Sequence, residues 1–368
     1  MNIRLPHFLT AARFRVLLRA ARFYGVMPPR FVRIIAAAGG LKPFRVWESL
    51  LYQRSVERFE LHPQPVFIIG YWQSGHSVLH NLMACDPQFS TVRLRHTILP
   101  SAYRTLGPVI GRHLERNLPA DREVDSLPGG LESLQGDDFL LAGLTELSAY
   151  YGYVFPDAAE RILKQSLFFD GVSSSRIAAW RRTYETAIRA VSAEQGRSRF
   201  LSRNAANTCR IPQLLQMFPD AKFVHVHRHP DDAFGVQQRR WASLTENWSL
   251  QGVQPKKVRQ HTLGTYEPMM RRYLQDRKLV RSTHVAEVAH ADLVAAPVET
   301  LDRLYKKLAL GAFDQIQAAV EQYAAADNGA LIEARELSSA DRREVRTRWQ
   351  FAFDAFGYSG KAATDRAA

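Results

Sequence analysis

Residues Gly70 to Ser77 read Gly-Tyr-Trp-Gln-Ser-Gly-His-Ser, a run of small and polar side chains suited to a tight turn. A turn of this kind ahead of a helix gathers unpaired backbone N–H groups at the positive end of the helix dipole. Phosphate or sulfate oxygens bind at such a point. Gly70, Gly75 and Ser77 fit the G-x-x-x-x-G-x-S frame of nucleotide hydrolases and kinases, but His76 stands where that frame carries its phosphate-binding lysine. The aspartate-ended strand that would hold magnesium is also missing, since Phe223 to His227 run straight into Arg228. The chemistry indicated is anion binding without the usual machinery for nucleotide hydrolysis.

Two strand-to-helix units must position these groups. Val66 to Ile69 form a continuous apolar stretch, as in a strand buried on both faces of a parallel sheet. After Gly70 the period changes: Val78, Leu79, Leu82 and Met83 share one helical face, and Asp86-Pro87 stops the helix. Residues 200 to 241 follow with a polar turn and a helix carrying Ile211, Leu214, Leu215 and Phe218. A Pro-Asp turn, a second buried strand and Arg228 at its carboxyl end complete the unit. Ligands of open α/β sheets sit at the carboxyl ends of strands.

Taken together, these blocks resemble sulfotransferases that use 3′-phosphoadenosine 5′-phosphosulfate (PAPS), of the bacterial-type branch whose first motif runs G-H-W-R-S-G-T-T-L-L-H-N-L. Gly70, Trp72, Ser74, Gly75, Leu79, His80, Asn81 and Leu82 match that motif. Thr208, Arg210, Ile211, the run Phe218 to Ala221, Phe223, His225, Arg228 and Pro230 match the second block. Residues 290 to 310, beginning His-Ala-Asp-Leu, are similar to the family's Y-E-D-L strand and helix. Arg122, Asp125, Pro128 and the run Gln135 to Phe139 resemble its acidic central stretch.

The resemblance implies a three-layer α/β domain with a mainly parallel sheet and a P-loop-like strand, turn and helix. It implies sulfuryl transfer from PAPS to a hydroxyl or amine, without a metal. Gln73, Ser74, Gly75, His76 and Ser77 would cradle the 5′-phosphosulfate, and Arg228 would bind the 3′-phosphate. Arg203 stands at the family's lysine position, where a cation stabilises charge on the leaving oxygen. Gln73 and His76 replace a basic residue and a threonine of the motif, and Val236 replaces a usual serine. A protonated His76 would restore some of the lost charge. These departures keep open a weak or inactive PAPS- or nucleotide-binding relative; a P-loop kinase or a basic interaction module are further alternatives.

The acceptor must also lose a proton, so a base is expected. Asp138 is the first candidate, because it lies in the acidic stretch, and His80, one helical turn after His76, is the second. The adjacent aspartates would equally serve as helix caps.

At 368 residues and 46% hydrophobic, the chain can bury one large α/β core. The expected organisation is a basic helical arm over 1–60, the α/β domain over 61–312, and a helical segment with a polar tail over 313–368. Cys85 and Cys209 are the only cysteines, which gives no disulfide framework and points to a reducing, cytoplasmic setting. No apolar run approaches the ~18 residues of a spanning helix. Most of the net charge of +13 is unevenly placed: no acid precedes Glu48, while Arg13, Arg15, Arg19 and Arg22 lie among others in that stretch. Phe14, Leu17, Leu18 and Ala21 take one helical face there, the pattern of a helix lying on an anionic membrane surface or docked on the domain. No nucleic-acid motif accompanies the charge, and no nucleic-acid partner is expected. The acceptor expected is a small molecule, carbohydrate or lipid, and the sequence leaves the oligomeric state open.

Overall fold

The computed structural model describes residues 7–24, 29–118, 129–252, 255–326 and 337–359. Arg122, Asp125 and Pro128 of the acidic stretch, and the polar tail from Gly360, lie outside the described residues. A five-stranded parallel sheet forms the centre, in the order β2-β3-β1-β4-β5. Its strands are β1 (Val66–Gly70), β2 (Phe89–Ser90), β3 (Arg199–Arg203), β4 (Lys222–His227) and β5 (Val285–Ala289).

Period-two alternation in β1 sends its side chains into two separate cores. Phe67 and Ile69 pack with Phe223, Trp180, Tyr266 and Trp349 on one face. Val66 and Ile68 pack with Leu79, Leu82, Val224 and Leu304 on the other. Helices therefore cover both faces, which makes the three layers and explains why β1 reads as unbroken apolar sequence. The C-terminal helices share these cores: Ser339–Ala355 contributes Val345 and Trp349 to the first, and Asp314–Ala326 contributes Ile316 and Val320 to the second.

The chain runs from β1 towards β2 on one side, and from β3 crosses β1 to reach β4 on the other. The order reverses at β1, and a crevice opens there between diverging connections, at the carboxyl ends of β1, β3 and β4.

Three helices precede the sheet: α1 (Phe14–Tyr24), α2 (Pro29–Gly40) and α3 (Lys42–Arg58). The apolar stripe of α1 is rotated from the one its sequence suggests. Val16, Leu17, Ala20 and Tyr24 are buried against Phe31, Tyr151 and Phe155, while Phe14 and Leu18 stay exposed. Of the four residues expected on one apolar face, Leu17 is buried and Ala21 partly buried in this docking, and Phe14 and Leu18 remain outside it. Among the described residues, no helix is long and apolar enough to cross a membrane.

Candidate active site

Helix α4 (His76–Met83) follows β1 after the turn Tyr71–Gly75. The turn is made possible by backbone that few residues adopt. Gly70 has φ +139°, and a Cβ there would lie 2.1 Å from the Val226 carbonyl oxygen. Gly75, the residue ahead of α4, has φ +103°, and a Cβ there would lie 2.7 Å from Cδ2 of His290. Only glycine fits either place. Gln73 also takes the left-handed region, at φ +64°, where a side chain costs about 1–2 kcal/mol. Its Nε2 is buried without a hydrogen-bond partner. A strained residue with an orphaned donor, beside the unpaired N–H groups of a helix start, is a cradle that an anion would complete. Thr208 fixes the entry to the turn, its hydroxyl accepting from Gly70 N at 2.8 Å and donating to Gly70 O at 2.9 Å.

Two expected cations reach this turn. Arg203, the last residue of β3, donates through Nη1 to the Ser77 hydroxyl. Arg228, just past β4, donates to the Gln73 carbonyl oxygen at 3.4 Å. The sheet order explains the convergence, since β3 and β4 flank β1 in parallel and their carboxyl ends lie on the same edge of the sheet.

Burial pushes the pKa of His76 down to about 3, and the charges of Arg203 and then Arg240 push the same way. A positive charge on His76 beside a phosphate would have to be gained against burial and both guanidinium groups. Arg240, on the helix Pro230–Trp248, was missed in the sequence; its signal was a position one helical turn beyond Val236. Val236 itself is buried in the core at 1% exposure. His290 flanks the turn from the other side. Burial lowers its pKa to about 4, helped by Arg228.

The acidic stretch does something different from what its sequence suggests. Asp137 accepts from Ser202 Oγ at 2.9 Å, Arg203 N at 3.0 Å and Asn204 Nδ2 at 3.2 Å, and also from the Tyr184 hydroxyl. It anchors the end of β3 and so positions Arg203. Burial raises its pKa against the pull of these donors. Asp138 Oδ1 pairs with Arg210 Nη1 at 3.2 Å, and Oδ2 accepts from Ser148 Oγ at 2.9 Å and Ala149 N at 3.0 Å. Arg210 is fully buried and also donates to the Ser166 and Leu147 carbonyls at 2.8 and 3.2 Å. Asp138 is thereby committed to a buried ion pair that ties separate segments together, and its placement gives no support to the role of base. His80 is fully buried as well, on α4. The structure thus gathers Gln73 to Ser77, Arg203 and Arg228 at one point and holds Asp138 in its framework.

A family model described as the sulfotransferase family matches residues 65–315. The chain belongs to that family. This sulfotransferase is 25% identical over 353 residues to the omega-hydroxy-beta-dihydromenaquinone-9 sulfotransferase Stf3 of Mycobacterium bovis, covering 94% of this chain and 87% of that protein. The same values hold for Stf3 of Mycobacterium tuberculosis. In fold it is similar to two crystal structures. Sulfotransferase STF9 from Mycobacterium avium gives a TM-score of 0.68 at 14% identity, over 94% of this chain and 97% of that one. Sulfotransferase STF1 from Mycobacterium tuberculosis gives 0.65 at 18% identity, over 95% and 92%. Membership of this family makes the protein a sulfotransferase enzyme and sets aside the kinase reading left open by the G-x-x-x-x-G-x-S frame.

Proposed function

We propose that this sulfotransferase moves a sulfuryl group from PAPS to a hydroxyl of a lipid or another largely apolar acceptor. The observation that carries the donor reading is the convergence on one turn of Arg203, Arg228, Ser77, the start of α4 and the orphaned Gln73 amide. This donor set is cationic and rich in N–H groups, which fits a ligand bearing a phosphosulfate at one end and a phosphate at the other. The acceptor oxygen bonds to sulfur as the bond from sulfur to the 5′-phosphate oxygen of PAPS breaks, so 3′,5′-adenosine bisphosphate leaves and the acceptor's proton passes to solvent. Backbone N–H groups of Gln73 to Ser77 would hold the phosphosulfate, with Arg203 and the Ser77 hydroxyl beside it. Arg203 acts on the charge that develops as the sulfuryl group departs. Arg228 would take the 3′-phosphate. We assign Asp138 and His80 to the framework, with Asp137 as a positioning residue for Arg203.

The acceptor reading rests on one support. The relative is named for a lipid quinone bearing a terminal hydroxyl. A lipid acceptor would be met at a membrane surface.

Calorimetric titration tests the donor assignment. The parent protein is expected to bind 3′,5′-adenosine bisphosphate at least about tenfold tighter than AMP, the ratio for one charge-assisted contact. Arg228→Ala should erase most of that preference. Equal affinities in the parent would remove Arg228 from the 3′-phosphate.

A further inference from the structure

Helix α3 leaves most of its large apolar side chains in solvent. The side turned towards the protein carries polar groups: Arg45 donates to the carbonyls of Ala38 at 3.1 Å and Ala11 at 2.6 Å. Glu48, the one buried residue of α3, accepts from Thr105 N at 2.9 Å and Thr105 Oγ1 at 3.0 Å. The Arg104 guanidinium lies over the Tyr52 ring, 4.9 Å from its centre. Around the rest of the helix Phe44, Val46, Trp47, Leu50 and Leu51 are 45, 52, 62, 79 and 54% exposed. Trp47, Leu50 and Leu51 recur at helical spacing, and Arg54 and Arg58 continue the same stripe. In an ordinary surface helix this stripe would be the buried one. Exposed apolar surface of this size with a polar rim marks a contact surface.

Charge identifies the occupant. Lys42, Arg54 and Arg58 of α3 are exposed, as are Arg15, Arg19 and Arg22 of α1, whose exposed Phe14 reaches the end of α2 beside Gly39. Glu57, at the far end of α3, is its one exposed acid and accepts from Gln53 Nε2 at 2.7 Å. A second copy seated on this face would bring the same basic residues together, which repels. An anionic lipid surface takes both the cations and the apolar side chains.

We propose that the outer face of α3 docks the enzyme on an anionic bilayer. Trp47, Leu50 and Leu51 enter the boundary between headgroups and acyl chains, and Lys42, Arg54 and Arg58 pair with lipid phosphates. The inference rests on the membrane-borne acceptor proposed above only for its purpose, and α3 replaces α1 as the element in contact with lipid. It lets the enzyme meet a hydroxyl that does not leave the membrane.

Cosedimentation tests it, using vesicles of equimolar phosphatidylcholine and phosphatidylglycerol beside vesicles of phosphatidylcholine alone. The full chain is expected to bind the mixed vesicles at least about tenfold more strongly than the neutral ones. Combining Trp47→Ala, Leu50→Gln and Leu51→Gln should cut binding to mixed vesicles by about tenfold or more. If the triple variant does not fold, Leu50→Gln alone is expected to lower binding by about threefold. Absence of parent binding to mixed vesicles, or variants that bind as the parent does, would overturn the proposal. So would a parent dimer that the substitutions dissolve in sedimentation velocity. Affinity for 3′,5′-adenosine bisphosphate, measured on the same samples, should not change. Loss of nucleotide binding in a parent that still binds vesicles would refute the donor reading and leave the docking face standing.

Discussion

Replacing Arg203 by methionine is expected to lower kcat by about a hundredfold to a thousandfold, the loss seen when one preorganised donor to developing charge is removed. The reason lies in how Arg203 is held. Its backbone N–H is fixed by Asp137 at 3.0 Å, and its guanidinium meets Ser77 at the start of α4. The charge is therefore in place before reaction and loses no energy in reorganising. Affinity for 3′,5′-adenosine bisphosphate, which lacks the sulfuryl group, should fall by about tenfold at most. Arg203→Lys keeps a cation at the same strand end and is expected to retain most of the activity. A methionine variant turning over at the parent rate would take Arg203 out of the chemistry.

Asp138→Asn should act on stability. Breaking a buried ion pair leaves the partner charge uncompensated, here the fully buried Arg210, and costs about 3 kcal/mol or more. Asparagine keeps the size and can still accept from Ser148 and Ala149, so the loss should sit at the low end of that range. The change is read as a lowered denaturation midpoint, with kcat per folded molecule within about threefold of the parent. A stable variant with a hundredfold lower kcat would instead make Asp138 the base.

These two residues mark the boundary of what the sequence discloses. β1, the turn and α4 are legible because their signal is local: a continuous apolar run gives way to helical spacing across Gly70. Arg228 at a strand end follows from the same signal in β4. The partner of Asp138, by contrast, lies 72 positions away, and nothing near either residue announces the pair. Asp137 and Asp138 look alike in sequence; only packing sends one to Arg203 and the other to Arg210. The faces of α1 and α3 were hidden for a related reason. Periodicity shows that α1 is amphipathic, but Tyr151 and Phe155 decide which stripe is covered. In α3 the polar partners of Arg45 and Glu48 come from Ala11, Ala38 and Thr105, and they turn the apolar stripe outward. The charge of Arg240 acts on His76 only because the helix Pro230–Trp248 carries it there, which no local pattern announces.

The most direct measurement of the central claim is transfer of radiolabelled sulfuryl from PAPS to a hydroxyl-terminated polyprenyl quinone carried in anionic vesicles. The account predicts a labelled sulfate ester formed in step with 3′,5′-adenosine bisphosphate, and none when the terminal hydroxyl is capped as a methyl ether. An equal rate with adenosine 5′-phosphosulfate, which lacks the 3′-phosphate, or PAPS consumption without any ester, would contradict it.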